Sequence, residues 1–469
     1  MIYEEKGMLK VKKQKLIILF VLCLQIMYIV GIRAFEIELN YSQMAKIAIS
    51  QTLISIIFLK IICNLSIISI PNIFAFFSLI FHCGQLIKEG FHMEGSVPLP
   101  FESYGDEATI QKAFIFFLVS QIIYFIFVTF ICNSQPDKTR WTKWNEKEKI
   151  NILTYAKVLI IFGIIPRLYI DIVSLIGARN SGYEGVYSIY IPQAIQSIAF
   201  FFDAGMIFLI YGLRDKKKQK LWFLGIVIYK CVMMSTGARQ DKVAFLLIWI
   251  YIYFFVINKI TIKKLIFVVM TCAAGFMFVS AIGTARTSNT VGLSQTFNLL
   301  QSGTMNNVLG NALGEFGSAF VTLETAIKYT PSRMSYGYGR SYIAGILSSI
   351  PLLVNRIPIL SETVIFLNQL PKRIVFAFGG SFLGELYYNF SWFGILGCGI
   401  VGVIVTKIHD GFTNTNCKLY KAWCSVVATA LILFVRGYFT DMVQKLVWTY
   451  ILIYLVQLYV MKRYNRKDM

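Results

Sequence analysis

Basic side chains clearly outnumber acidic ones in one long stretch of the chain, between residues 284 and 381. This stretch holds seven lysines and arginines against only three glutamates. The planar guanidinium group of arginine holds phosphate oxygens through paired, charge-assisted hydrogen bonds that survive partial removal of water. We therefore predict that the stretch binds an anionic, phosphate-bearing partner. The alternative is that these charges are simply solvated, because long loops escape the usual bias of charge across a membrane.

Four arginines stand out by their sequence context. Arg239 lies in a short polar turn and Arg286 follows an apolar run. Arg340 sits among alternating tyrosines and glycines, and Arg373 precedes a glycine-rich stretch. The alternating run also contributes Tyr336, Tyr338 and Tyr342. Small residues let a backbone approach a ligand, and tyrosine rings offer flat faces for sugars. We predict that these tyrosines bind substrate with the arginines; an interfacial aromatic belt is the alternative.

The composition places these residues in a membrane protein. Hydrophobic residues make up 57% and charged residues 15% of the 469 residues, whereas soluble domains carry about 25% charged residues. Apolar runs able to cross a hydrocarbon core of about 30 Å recur along the chain. We predict an all-α polytopic membrane protein with about twelve spans: 16–32, 44–63, 70–87, 111–132, 150–176, 192–213, 221–236, 243–257, 265–283, 382–406, 422–439 and 442–461.

The distribution of charge predicts the orientation of these spans. With the N-terminus inside, 25 lysines and arginines fall in the cytoplasmic segments and seven in the short outer ones. Basic loops remain on the cytoplasmic side, so both termini are expected there. We therefore attribute the net charge of +21 to the basic cytoplasmic loops, and we expect no nucleic-acid partner.

The stretch 284–381 is predicted to be a large extracytoplasmic loop between spans 9 and 10, within a single polytopic domain of residues 1–469. Apolar side chains recur in it at helical spacing with two glutamates between them: Phe316, Phe320, Leu323 and Ile327, with Glu315 and Glu324. This pattern predicts an amphipathic helix on the membrane surface or on the bundle. Prolines interrupt the segments 343–353 and 357–370, which we interpret as interfacial or re-entrant.

Two motif-like runs carry a resemblance to a known family. They are YGYGRSY at 336–342 and GGSFLGELYYN at 379–389, the latter followed by WFG at 392–394. With the outer arginines and the large late loop, they resemble bacterial O-antigen polysaccharide polymerases of the Wzy type. Such polymerases also have an arginine followed, after ten residues, by glycine, a spacing that Arg373 and Gly384 match.

The resemblance implies a GT-C-like membrane glycosyltransferase of the bacterial cytoplasmic (inner) membrane, with its active site facing the periplasm or exterior. It implies polymerisation of undecaprenyl-pyrophosphate-linked oligosaccharide repeat units into O-antigen or capsule, without a metal or other cofactor. Besides the lipid bilayer, a chain-length regulator is a candidate partner. Arg286 is then predicted to stabilise the departing pyrophosphate and Glu385 to accept a proton, although a structural helix-entry carboxylate is the alternative for Glu385.

A flippase for lipid-linked oligosaccharides is the competing function. Such a transporter also needs many helices and cations that hold a pyrophosphate. Its charges should line a cavity between two related halves with short outer loops. This sequence has unmatched halves and one long loop, which favours the polymerase.

Overall fold

A computed structural model of the full chain provides the structure. It describes residues 37–95, 97, 99–132, 152–189, 191–234, 240–257, 305–350, 353–375 and 378–465, together with 16, 20–29 and 31. Within these residues every regular element is a helix.

The helices are numbered here in chain order. They are α1 (Phe20–Ile29), α2 (Tyr41–Cys63), α3 (Ile70–Gly90), α4 (Glu107–Ile131), α5 (Ile152–Ser188), α6 (Gln193–Gly212), α7 (Lys216–Met234), α8 (Gln240–Ile252), α9 (Met305–Phe316), α10 (Ala319–Tyr329), α11 (Arg340–Leu347), α12 (Pro358–Thr363), α13 (Lys372–Val375), α14 (Phe382–Phe390), α15 (Ile395–Thr413), α16 (Lys418–Val435) and α17 (Phe439–Asn465). A π-helical turn, Tyr253–Ile257, continues α8.

Eight helical stretches among the described residues are long and apolar enough to cross a membrane. They are α2 to α6, the combined stretch of α14 and α15, α16 and α17. The prediction of an all-helical multi-pass membrane protein is confirmed. Of the other four predicted spans, those at α1 and α8 are apolar but shorter, α7 begins with several lysines, and 265–283 lies outside the described residues. The number twelve and the sidedness of the helices stay predictions.

Close helix packing in this bundle depends on small residues. The pair α5 and α6 is the most extensive among the described elements. A Cβ atom added to Gly163 would lie 2.2 Å from the backbone nitrogen of Phe202, and one on Gly205 would lie 2.7 Å from Ile160 Cγ1. Both glycines therefore let the two helix axes approach closely, as is common between membrane helices.

Buried charges join α5, α6 and α7. Lys230 Nζ lies 2.5 Å from Asp203 Oδ1, and Arg167 Nη2 lies 3.1 Å from Asp171 Oδ1. Arg167 also approaches Asp203 at 3.9 Å, and the Tyr229 hydroxyl donates to Asp171. Arg167 and Asp171 lie one helical turn apart on α5 and therefore share a face. Two cations and two anions compensate each other, which lowers the cost of placing them away from water.

The stretch predicted as a long loop contributes to the bundle, because its helices α9 and α10 pack against α3. A Cβ atom on Gly317, between α9 and α10, would lie 2.3 Å from the Gln85 backbone nitrogen on α3. The Gln85 side chain is fully buried and donates to the carbonyls of Leu99 and Gly314. Its carbonyl oxygen accepts from the Phe101 amide. One glutamine thus connects α3, the turn before α4 and helix α9.

The predicted amphipathic helix differs from the observed one in two respects. It is split by Gly317 and Ser318 into α9 and α10, and residues 319–327 of α10 are all buried. Glu324, expected on a polar face, has 0% exposure and neither carboxyl oxygen has a hydrogen-bond partner. Glu324 is covered by the turn around Gly105, whose Cβ position would lie 2.5 Å from Glu324 Oε1.

Candidate active site

Two segments that are distant in sequence meet around α14. The first is the tyrosine–glycine turn, residues 336–342, which contacts the C-terminal end of this helix. The Gly337 amide donates to the Tyr388 carbonyl at 3.0 Å, and the Gly339 amide donates to Asn389 Oδ1 at 2.9 Å. The two motif-like runs of the sequence are therefore bound directly to each other.

The tyrosine–glycine turn depends on its glycines. A Cβ atom on Gly337 would lie 2.4 Å from the ring of Tyr388, so a larger residue has no room there. Tyr338 and Gly339 both adopt left-handed backbone conformations, with φ of 48° and 84°. This conformation costs least at glycine. It turns the chain sharply into α11 and leaves Tyr338 72% exposed.

Glu385 lies at the centre of the site and is fully buried. Ser341 Oγ donates to Glu385 Oε1 at 2.7 Å, and the Phe439 amide donates to Oε2 at 2.8 Å. Asn389 Nδ2, one helical turn further along α14, donates to Ser341 Oγ at 2.7 Å. The carboxyl group therefore connects α14 to the starts of α11 and α17. In this arrangement both of its oxygens are already engaged.

The glycine turn, residues 378–381, forms the other end of α14. Ser381 caps this helix by accepting from the Gly384 amide at 3.1 Å, and its hydroxyl lies 2.9 Å from His82 Nε2. A Cβ atom on Gly380 would lie 2.5 Å from the carbonyl carbon of Gly437. The two backbones are thus in direct contact, which only glycine at position 380 permits.

The backbone contact between Gly380 and Gly437 brings Arg436 to the site. This arginine follows the last residue of α16, is half-buried, and points its guanidinium toward the glycine turn. A Cβ atom on Gly379 would lie 3.2 Å from Arg436 Nε, and the guanidinium carbon lies 6.0 Å from the centre of the Phe81 ring. Its sequence context did not single it out, because a lone arginine after an apolar run reads as topology charge. No local signal marks it, because the glycine turn that it contacts lies on another segment of the chain.

Of the four predicted arginines, the structure describes two. Arg340 is exposed at the start of α11, next to Ser341 and hence next to the Glu385 network. Arg373 belongs to the short helix α13, of which the backbone alone is described at this residue. Arg239 and Arg286 lie outside the described residues.

The three predicted tyrosines have different environments. The Tyr342 ring stacks on Phe390 with 6.0 Å between centroids and meets Phe439 edge-on at 5.0 Å. Its burial raises the pKa of the hydroxyl well above its usual value, so Tyr342 remains protonated. Tyr336 is half-buried and its hydroxyl donates to Ser391 Oγ at 3.4 Å. Tyr338 is the one whose ring is largely open to a ligand.

The arrangement offers cations at both ends of a short helix, with a buried carboxyl group between them. Among the described residues, no group of three or more His, Cys, Asp or Glu side chains is placed to hold a metal ion. The arginines at the two ends of α14 can bind anions and stabilise developing negative charge.

A comparison with protein-family models decides the identity of the chain. The model of O-antigen polysaccharide polymerase Wzy matches residues 15–468. The chain belongs to the Wzy family of O-antigen polysaccharide polymerases. This membership confirms the resemblance carried by the two motif-like runs. Searches of curated proteins and of solved structures give no match.

Membership of the Wzy family makes the chain a polysaccharide-polymerising membrane enzyme whose substrates are lipid-linked repeat units. The family match spans nearly the whole chain, including the long loop. Both the glycine turn and the tyrosine–glycine turn therefore lie within the region that matches the family.

Proposed function

We propose that this polymerase joins undecaprenyl-pyrophosphate-linked oligosaccharide repeat units on the outer leaflet of the bacterial cytoplasmic membrane. The growing glycan leaves its pyrophosphate carrier and is transferred to the non-reducing end of an incoming lipid-linked unit. The observation that carries the proposal is the direct bonding of the arginine-bearing tyrosine–glycine turn to α14. Arg340 directly precedes Ser341, whose hydroxyl donates to the buried Glu385, and this proximity supports a role for Arg340.

The proposed chemistry is a substitution at the anomeric carbon. An acceptor hydroxyl forms the new glycosidic bond while the bond between the sugar and the pyrophosphate breaks. The hydroxyl proton passes to a base, and undecaprenyl pyrophosphate departs with the bonding electrons. Preorganised arginines stabilise the charge that develops on the leaving group. We assign this role to Arg239, Arg286, Arg340 and Arg373, and sugar contact to Tyr336, Tyr338 and Tyr342.

Glu385 remains our candidate for the base, and its surroundings define what that role requires. Its carboxyl group must exchange the hydrogen bond from Ser341 or from the Phe439 amide for one from the acceptor hydroxyl. Substitution separates this role from a purely structural one. Glu385→Gln keeps a hydrogen-bond acceptor for one partner but removes the base. A folded Gln variant that still polymerises would assign Glu385 to structure.

Reconstitution tests the proposal. The purified protein is placed in vesicles with lipid-linked repeat units on the exposed leaflet, and chain growth is followed on gels with a chelator present. We expect long chains from the wild type and only single units from Arg340→Ala. Arg340→Lys should rescue poorly, because a point charge cannot form paired hydrogen bonds. Chain growth that stops on chelation would contradict metal independence, and unaltered growth by Arg340→Ala would contradict the assigned site.

A further inference from the structure

We infer that Arg436 is a further substrate-binding residue of this enzyme, which contacts the pyrophosphate of a lipid-linked unit at the glycine turn. The inference rests on the proposed function and adds a residue on a different helix. The tertiary structure places it against the glycine turn, residues 378–381.

The first step of the argument is position. The Arg436 guanidinium lies between the Phe81 ring and Gly379, with a distance of 6.0 Å to the ring centre. An aromatic face beside a guanidinium restricts its rotation and favours one orientation of its planar fork. Glycine at position 379 leaves the guanidinium uncrowded, because any other residue would place a Cβ atom 3.2 Å from Nε. Arg436 is only half-buried, so we expect the oxyanion to bind at the terminal nitrogens of the fork.

The second step is the way the site is held together. Gly380 contacts Gly437 through backbone atoms, so Arg436 and the glycine turn form one unit. Three residues after Arg436, the Phe439 amide donates to Glu385, whose other oxygen accepts from Ser341 beside Arg340. One carboxyl group therefore fixes the segments that carry both arginines.

The third step is desolvation. Arg436 is half-buried, whereas Arg340 is exposed. A guanidinium that is already partly shielded from water gains more from an anion than an exposed one, because charge-assisted hydrogen bonds are stronger in a medium of low dielectric constant. Arg436 is thus suited to hold the pyrophosphate, and exposed Arg340 to meet it at entry.

Binding of undecaprenyl pyrophosphate to the full-length protein in detergent tests the inference. Affinity is measured for the wild type, Arg436→Ala, Arg436→Lys, Arg340→Ala and the control Arg214→Ala. Gln193 at the start of α6 donates to Asp441, five residues after Arg436. Arg214 is exposed beyond the other end of this 20-residue helix, about 30 Å further along. Loss of one charge-assisted contact should weaken binding by roughly 10- to 100-fold in Arg436→Ala, with partial recovery in Arg436→Lys and none of this in Arg214→Ala. Undecaprenyl monophosphate and inorganic pyrophosphate, as separate probes, distinguish a lipid contact from a diphosphate contact.

A second variant keeps the test decisive if Arg436→Ala does not fold. Gly379→Ala adds one methyl group 3.2 Å from Arg436 Nε and should weaken binding in the same direction without removing the charge. The inference is overturned if Arg436→Ala binds as tightly as Arg214→Ala. If Arg436→Ala does not fold, it is overturned by unchanged binding in both Arg436→Lys and Gly379→Ala. Absence of binding by the wild type would instead refute the proposed function, whereas loss in Arg340→Ala alone would refute the role of Arg436 and leave that function standing.

Discussion

Replacing Glu324 by glutamine should stabilise this protein, and increasingly so as the pH rises. Glu324 is fully buried on α10, and both carboxyl oxygens lack a hydrogen-bond partner. Burial, and to a smaller extent the nearby Glu102 and Asp106, raise its pKa from 4.5 to about 9, while Lys328 opposes the shift. The carboxyl group is therefore neutral in the folded protein at neutral pH and ionised in the unfolded chain.

The magnitude follows from this difference in proton binding. The contribution of a neutral Glu324 to stability is fully present below pH 4.5 and is lost as the pH rises toward 9. At about pH 7.5 the linkage relation gives a cost of at most about 4 kcal/mol, because each pH unit above the unfolded pKa costs about 1.4 kcal/mol. Glutamine has nearly the same shape and does not ionise, so the variant escapes this cost.

Thermal unfolding in detergent between about pH 5 and pH 9 measures the effect. The melting temperatures of the wild type and Glu324→Gln should converge at the acidic end and separate at the alkaline end, with the variant higher. Glu362→Gln is the matched control, since Glu362 is exposed in the same loop; its curve should follow the wild type. Parallel curves for the wild type and Glu324→Gln at every pH would refute the reasoning.

Two further predictions concern packing and charge. Asp203→Asn should destabilise the protein by roughly 3–5 kcal/mol, because Lys230 loses its buried anion, and the double variant Asp203→Asn with Lys230→Met should recover most of the melting temperature. If the double variant is as unstable as Asp203→Asn alone, Asp203 and Lys230 do not act only by compensating each other's charge. Gly337→Ala should lower stability by roughly 1–3 kcal/mol and abolish polymer, because its Cβ would lie 2.4 Å from the Tyr388 ring; normal melting and normal chain length would contradict the tight contact.

Some of the candidate site could be predicted from sequence and some could not. The tyrosine–glycine turn and the α14 motif were both recognisable, because glycines at fixed places and clustered tyrosines leave a local signal. Their contact through Gly337 and Asn389 was not predictable, since hydrogen bonds across about fifty residues leave no periodicity in the chain. Arg436 was missed for the same reason: its partner, the glycine turn, lies on another segment.

The sequence by itself determined that the chain is a helical membrane protein of the Wzy type. Long apolar runs must satisfy their backbone groups internally in lipid, and helices do so without reference to the rest of the chain. Only the tertiary structure decided that residues 319–327 of α10 are all buried, Glu324 among them, and that Glu385 binds Ser341 and the Phe439 amide. Burial and the choice of partner depend on which surfaces meet when the helices pack, and helical periodicity records only which face of one helix is apolar.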